Sequence, residues 1–264
     1  MISLREQVKA RLTREQAQRV RHVMNTVKYI IKFPYRAFRR TGIERRFVPL
    51  PNGRGWRTAI PPSLHVSITH GMVNFRYRDI VMQKHPVEVA LYMRLIWETK
   101  PRTIIEIGSQ AGGSAVWLAD TLKQFDIDGR VVSIDLYPPL PPYLPANVSF
   151  MRGDANDLAS TLTADLLNSF PRPWLVIEDA SHQYAATLAV MRFFDPLLRQ
   201  GEYIVVEDAT VTEMGVDARF QGGPARSIAE FLQDRGRDYE IDTRYCDHYG
   251  RNVTGNPNGY LRKK

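Results

Sequence analysis

The chain has one cysteine, Cys246, in 264 residues. An internal disulfide is therefore excluded, as is a zinc site built from several cysteines. This usage fits a reducing compartment, and a cytoplasmic location is the expectation. No run of about 18 apolar residues occurs, so no membrane-spanning helix is expected. Arg5 and Glu6 stand where a secretory leader needs apolar residues, and no leader is expected. Acidic residues are scarce in the first 50 positions, which hold three acids against thirteen Lys or Arg. The whole chain carries only +8, so the remainder is slightly acidic and the basic character belongs to the N-terminal segment.

What is present there reads as an amphipathic helix. Thr13-Arg14-Glu15-Gln16 forms a capping box. Val20, Val23, Met24, Val27, Ile30 and Ile31 recur at helical spacing, and Pro34 stops the run. Arg19, Arg21, Lys28 and Lys32 mostly take the opposite face. Nucleic acid or anionic lipid can meet such charge. The reading carried forward is a peripheral contact at the inner membrane face, with no nucleic acid as partner. Packing within a homo-oligomer is the competing use, and a homo-oligomer is expected. We divide the chain into this basic extension, residues 1–74, and a catalytic domain, residues 75–264.

Residues 35–80 read as irregular, followed by a helix over 87–99. From Arg102 onward β-branched apolar runs alternate with helical stretches. The runs are 103–107, 131–134, 174–177 and 203–206; the helices are 113–123, 157–169, 183–194 and 226–234. Such alternation predicts an α/β fold, a mostly parallel sheet with helices on both faces. Pro138 to Pro145 has five prolines in eight positions and should be extended. This segment and residues 210–223 follow strand ends and are expected to shape a substrate pocket.

The first of these strands ends in Glu106-Ile107-Gly108-Ser109-Gln110-Ala111-Gly112-Gly113. Glycines here allow a sharp turn and the close approach of a ligand outside the carboxyl ends of the strands. The next strand ends in Asp135, placed to bond ribose hydroxyls, and Gly153-Asp154-Ala155 places an acid near an adenine. The turn is not the G-x-G-x-x-G of dinucleotide enzymes, and the Tyr-x-x-x-Lys pair of short-chain dehydrogenases is missing. S-adenosylmethionine carries no phosphate, and Glu106 can attract its amino group. The expected cofactor contacts are Glu106, Gly108, Ser109, Gly112, Gly113, Asp135, Asp154 and Ala155.

Two further strands end in Glu178-Asp179-Ala180-Ser181-His182 and in Glu207-Asp208. If the strands are neighbours, Asp179, Glu207 and Asp208 converge. Crowded carboxylates repel unless a cation joins them, and oxygen ligands favour Mg²⁺ or Mn²⁺. The ion would lower the pKa of an acceptor hydroxyl, and His182 would take the proton. A non-haem iron site is disfavoured, since none of the six histidines is followed at the second position by Asp or Glu.

With these residues in view, the chain resembles the cephalosporin hydroxylase family from about Phe75 onward. The resemblance rests on TIIEIGSQAGGSA, VVSIDLYPP, LVIEDASHQYAATL, GEYIVVEDATV, GGPARSIAEFL and NPNGYLRKK. That family contains Mg²⁺- and S-adenosylmethionine-dependent O-methyltransferases acting on macrolide sugars and rhamnosyl groups. The resemblance implies a Rossmann-like class I methyltransferase fold and a sugar-containing acceptor. It implies Asp179, Glu207 and Asp208 as metal ligands, His182 as base, and Glu106, Gly108, Asp135 and Asp154 as cofactor contacts. The alternatives are a non-catalytic adapter docking through its basic helix, or a methyltransferase acting on a non-sugar hydroxyl. An adapter has no reason to keep the acid–histidine set.

Overall fold

The structure, a computed structural model, describes residues 46–48 and 54–264. The expected helix between Thr13 and Pro34 lies outside them. The chain divides into the units Met1–Glu44 and Arg45–Lys264, and the second carries the architecture below. β1 (Phe47–Val48) precedes α1 (Pro62–Met72), the hairpin β2 (Arg76–Tyr77) and β3 (Ile80–Val81), and α2 (Pro86–Thr99). Then come β4 (Thr103–Ile107), α3 (Gly113–Gln124), β5 (Arg130–Asp135), β6 (Val148–Arg152), α4 (Ala164–Asn168), β7 (Trp174–Glu178), α5 (Tyr184–Phe194) and β8 (Tyr203–Val206). The chain closes with α6 (Asp217–Phe220), α7 (Gly223–Arg235), β9 (Tyr239–Asp242), α8 (Thr243–Cys246) and β10 (Tyr260–Lys263).

The sheet has eight strands in the order β1-β9-β10-β8-β7-β4-β5-β6. β6, β5, β4, β7 and β8 run parallel. β10 is antiparallel to both β8 and β9, and β1 adds two residues at the edge. Every residue of β4, β7 and β8 is buried. Such strands need apolar side chains on both faces, which explains why Ile, Val and Leu dominate them, with Glu106 and Glu178 as the acidic exceptions. α2 lays Leu91, Tyr92, Leu95 and Ile96 on the sheet, and α3 lays Ala115, Val116, Leu118, Ala119 and Leu122. Each fully buried Leu, Ile or Val contributes about 1.5–3 kcal/mol.

β5 and β6 lie to one side of β4, whereas β7 and β8 lie to the other. The strand order therefore reverses between β4 and β7, and a crevice opens outside their carboxyl ends. Two cavities meet there and share Gly108, Gln110, Asp179 and Ala180.

Two expectations are corrected. Residues 35–80 are not wholly irregular, because α1 and the β2–β3 hairpin fall within them. The stretch 157–169 is not one helix. A single turn at Leu158–Ser160 ends where the Thr161 hydroxyl bonds back to the Arg152 carbonyl, and Thr163 then caps α4.

Candidate active site

Main-chain hydrogen bonds join three strand tips. The Asp179 N–H donates to the Ile107 carbonyl at 2.8 Å, and the Glu207 N–H donates to the Glu178 carbonyl at 2.9 Å. The tips of β4, β7 and β8 thus stand side by side, as the sequence required. Gly108 shows how closely they approach. Its φ is +104°, and a Cβ there would lie 2.0 Å from the Asp179 carbonyl oxygen. Only glycine fits this position.

The acids do not all face one point. Asp179, His182 and Asp208 bring one ligand atom each within 4.8 Å of one another. Glu207 turns inward. Its Oε1 lies 2.7 Å from Lys84 Nζ and accepts the Tyr92 hydroxyl at 2.6 Å. Lys84 Nζ also lies 2.5 Å from Asp179 Oδ2 and 3.9 Å from Glu106 Oε1. Burial disfavours charge on Lys84, but Asp179, Glu207 and Glu106 outweigh it and hold the ammonium well above the usual lysine range. One fixed cation therefore sits among Glu106, Asp179 and Glu207, with Asp208 close by. Burial holds the Glu106, Asp179 and Glu207 carboxyls above the usual carboxylate range, and a further cation would favour their charged forms. The carboxylates of Asp179 and Asp208 suit a hard divalent ion such as Mg²⁺ or Mn²⁺ and fit the expected metal, with His182 beside them as the basic group, whereas Glu207 Oε1 is engaged by Lys84 and Tyr92.

His182 Nε2 lies 3.4 Å from Asp208 Oδ2. Burial disfavours the charged ring, yet Asp208, Asp179 and Glu178 together hold it above the usual histidine range. Gln110, His182 and Asp208 all adopt positive φ, at 46°, 56° and 52°. Left-handed backbone at a non-glycine residue costs energy, and at these three positions it is spent on loops that line the cleft. Asn256 supports Asp208 by accepting its N–H at 3.1 Å. This gives a role to the Asn256-Pro257-Asn258-Gly259 segment.

The other cavity, about 430 Å³, is lined by Gly108, Asp135, Asp154 and Ala155. Asp135 Oδ2 accepts the N–H groups of Ser109 and Gln110 at 2.9 and 3.1 Å, and Oδ1 accepts that of Tyr137. Hydrogen bonds from the Asn156 main chain and side chain hold the Asp154 carboxyl below its usual range. Ser109 lines the neighbouring cavity and pairs with the Ser133 hydroxyl, which in turn donates to Glu106. Glu106 is fully buried and reaches neither cavity wall. Gly112 caps α3, and Gly113 presses on the Val81 carbonyl, where a Cβ would come within 2.3 Å. Both glycines serve packing and line neither cavity. The proline run 138–145 also lines neither, whereas Val211, Met214, Val216 and Phe220 do line the site, as expected of 210–223.

Sequence reasoning missed Lys84, Tyr92, His65 and His85. A single lysine before a helix carries no spacing signal. Its burial follows only from where β4, β7 and β8 bring their acids.

A sheet of this order, with one antiparallel strand inserted beside β8 and a crevice at the β4–β7 switch, defines a class I methyltransferase. The model of the Rhamnosyl O-methyltransferase/CmcI family matches residues 70–264, and the chain belongs to that family. A rhamnosyl O-methyltransferase of Mycobacterium tuberculosis (strain ATCC 25618 / H37Rv) is 30% identical over 189 residues, covering 70% of this chain and 76% of that protein. The Mycobacterium leprae (strain TN) rhamnosyl O-methyltransferase is 30% identical over 176 residues, covering 66% and 76%. A solved structure of CmcI in a form designated Mg-SAM is 26% identical with a TM-score of 0.57, covering 87% of this chain and 95% of that one.

Proposed function

We propose that the chain is an S-adenosylmethionine-dependent O-methyltransferase acting on a hydroxyl of a sugar-containing acceptor, with Mg²⁺ assisting. The observation that carries this reading is the meeting of Asp179, His182 and Asp208 at two strand tips, beside a cleft that ends on Asp135 and Asp154. The family and its rhamnosyl relatives support it.

The residues divide the work. Asp135, which accepts the N–H groups of the glycine turn, would meet the ribose of the bound cofactor, and Asp154 would meet its adenine. Asp179 and Asp208 would hold the ion. Bound S-adenosylmethionine supplies an electrophilic methyl group, and the ion supplies charge that lowers an acceptor hydroxyl's pKa. His182 takes the hydroxyl proton, a contribution of about 10²–10⁴-fold. Lys84 keeps the buried acids from repelling one another. Most of the remaining gain is positioning.

Calorimetry with S-adenosylhomocysteine tests this. Binding that Mg²⁺ strengthens, together with methyl transfer to a methyl rhamnoside, is expected. A chain that binds no S-adenosylhomocysteine is not a methyltransferase.

The catalytic domain in this reading begins before residue 75, because His65, Thr69 and Met72 of α1 line its cleft within the unit Arg45–Lys264, and the basic extension lies ahead of that unit. Among the described residues no helix is long and apolar enough to cross a membrane. The excess of basic residues in the first 50 positions supports peripheral contact with an anionic inner membrane face, a contact between copies in a homo-oligomer being the competing use. Vesicles containing phosphatidylglycerol should float the full chain but not one lacking residues 1–40. Equal flotation of both removes the membrane role.

A further inference from the structure

The cavity beside the acids, about 250 Å³, has one wall that methyl transfer does not use. His65 from α1 and His85 from the turn into α2 both line it, together with Val211. Their rings stack with centroids 5.8 Å apart and planes inclined by 27°. Each residue is 4% exposed.

Each ring is anchored at one nitrogen. His65 Nε2 lies 3.2 Å from the Thr210 hydroxyl. His85 Nδ1 lies 2.7 Å from Glu88 Oε2, and the Val87 N–H faces the same nitrogen at 3.3 Å. The Val87 N–H donates to Nδ1, so that nitrogen accepts and Nε2 carries the ring proton. Glu88 is itself fixed by the Thr254 hydroxyl and the Gly255 N–H. The second nitrogens, Nδ1 of His65 and Nε2 of His85, are buried and have no partner among the described residues. Buried polar atoms are almost always paired. Two unpaired nitrogens, in rings that line one cavity and are already held in place, point to a ligand that supplies the partners.

The chemistry of that ligand follows. His85 Nε2 carries the ring proton and can donate. Burial and the neighbouring His85 ring hold His65 below the usual histidine range, which favours its neutral ring. Its Nδ1 donates or accepts according to the sense of the Thr210 bond. Neutral donor–acceptor groups suit hydroxyls. Met72, Met214, Val216 and Phe220 complete the chamber and suit the C–H faces of a sugar ring. The pair stands with Thr210 on the β8 side, whereas Asp135 and Asp154 line the other cavity.

We propose that His65 and His85 bind acceptor hydroxyls that are not methylated, and so fix which hydroxyl reaches His182. This deepens the O-methyltransferase reading and rests on it. The test uses the full chain with Mg²⁺, methyl α-L-rhamnopyranoside and its monodeoxy analogues, comparing wild type with His65→Phe and His85→Phe. S-adenosylhomocysteine affinity should stay within about twofold. KM for the parent glycoside should rise at least about tenfold with kcat nearly unchanged, and each variant's penalty should vanish for one deoxy analogue. Cofactor affinity falling with KM would assign the wall to the cofactor and overturn the proposal. An unchanged KM, or an equal penalty for every analogue, overturns it too. If neither variant folds, imidazole ¹⁵N resonances of the wild type decide, because both unpartnered nitrogens should shift when glycoside is added to the Mg²⁺–S-adenosylhomocysteine complex. Wild type that binds S-adenosylhomocysteine but takes no glycoside sinks this assignment alone. Failure to bind S-adenosylhomocysteine sinks the underlying reading.

Discussion

Around Asp135 the cleft is made of main chain, whereas around Asp179 it is made of buried charge. The Asp135 carboxylate is held by N–H groups of Ser109, Gln110 and Tyr137. The Asp179 and Glu207 carboxylates are held by Lys84, which lies 95 and 123 positions away in the chain. A site of the first kind needs only glycines and one acid at a strand end, so it survives as a short motif. A site of the second kind exists only when distant segments meet in a water-poor interior. The first is tolerant of change and the second is not, because a charge stranded at low dielectric has nothing to replace its partner.

The sharpest way to break this comparison is Lys84→Met. Removing the ammonium leaves Glu106, Asp179 and Glu207 crowded and unneutralised, and the loss should be about 3–5 kcal/mol. Urea unfolding measures it. Adding Glu207→Gln to Lys84→Met should recover part of the loss, since one of the repelling charges is then gone. A single variant as stable as wild type would show that the buried acids are not ionised together, and the contrast between the two ends would collapse.

That contrast also explains what could be read in advance. β4, β5, β7 and β8 were legible as β-branched runs, and the acids at their tips followed from a parallel sheet. α1 was not legible, because Leu64 and Val66 face solvent and give it no apolar periodicity. β9 and β10 were missed because four residues each, mixing polar with apolar, become strands only by pairing with β8 and with one another. On the site, Gly108, Asp135, Asp154 and Ala155 were placed by local pattern. The inward turn of Glu207 was invisible because it answers to Lys84 and Tyr92. The stacked pair of His65 and His85 was hidden too, as α1 had no signal to bring it to α2.

A smaller effect is expected at the main-chain end. Asp135→Asn keeps the shape but turns one accepting oxygen into a donor that faces an N–H group. Charge-assisted bonds of this kind are worth about 1.5–3 kcal/mol each. S-adenosylhomocysteine affinity should fall about tenfold or more, while KM for a glycoside acceptor and urea stability move little. If the global stability loss matched that of Lys84→Met, the two ends would not differ in the way their construction implies.

The smallest effect tests whether burial, and not the number of charges, makes the difference. Glu98 is also surrounded by cations, but near the surface. It accepts from Arg94, Arg244 and the Tyr245 hydroxyl, each at 2.9 Å. Partial burial opposes its ionisation, yet Arg94, Arg244 and Tyr245 prevail and hold the carboxyl down at about 2. A carboxyl depressed on folding adds stability above its unfolded value of about 4.5, and that stability drains away as pH falls toward about 2. Solvent reaches the side chain, which is 24% exposed, so screening leaves about 1 kcal/mol. Glu98→Gln should therefore lower urea stability by about 1 kcal/mol near pH 7 and by almost nothing near pH 2, flattening the acid limb between. A loss as large as that of Lys84→Met would mean that charge number, not burial, governs both clusters.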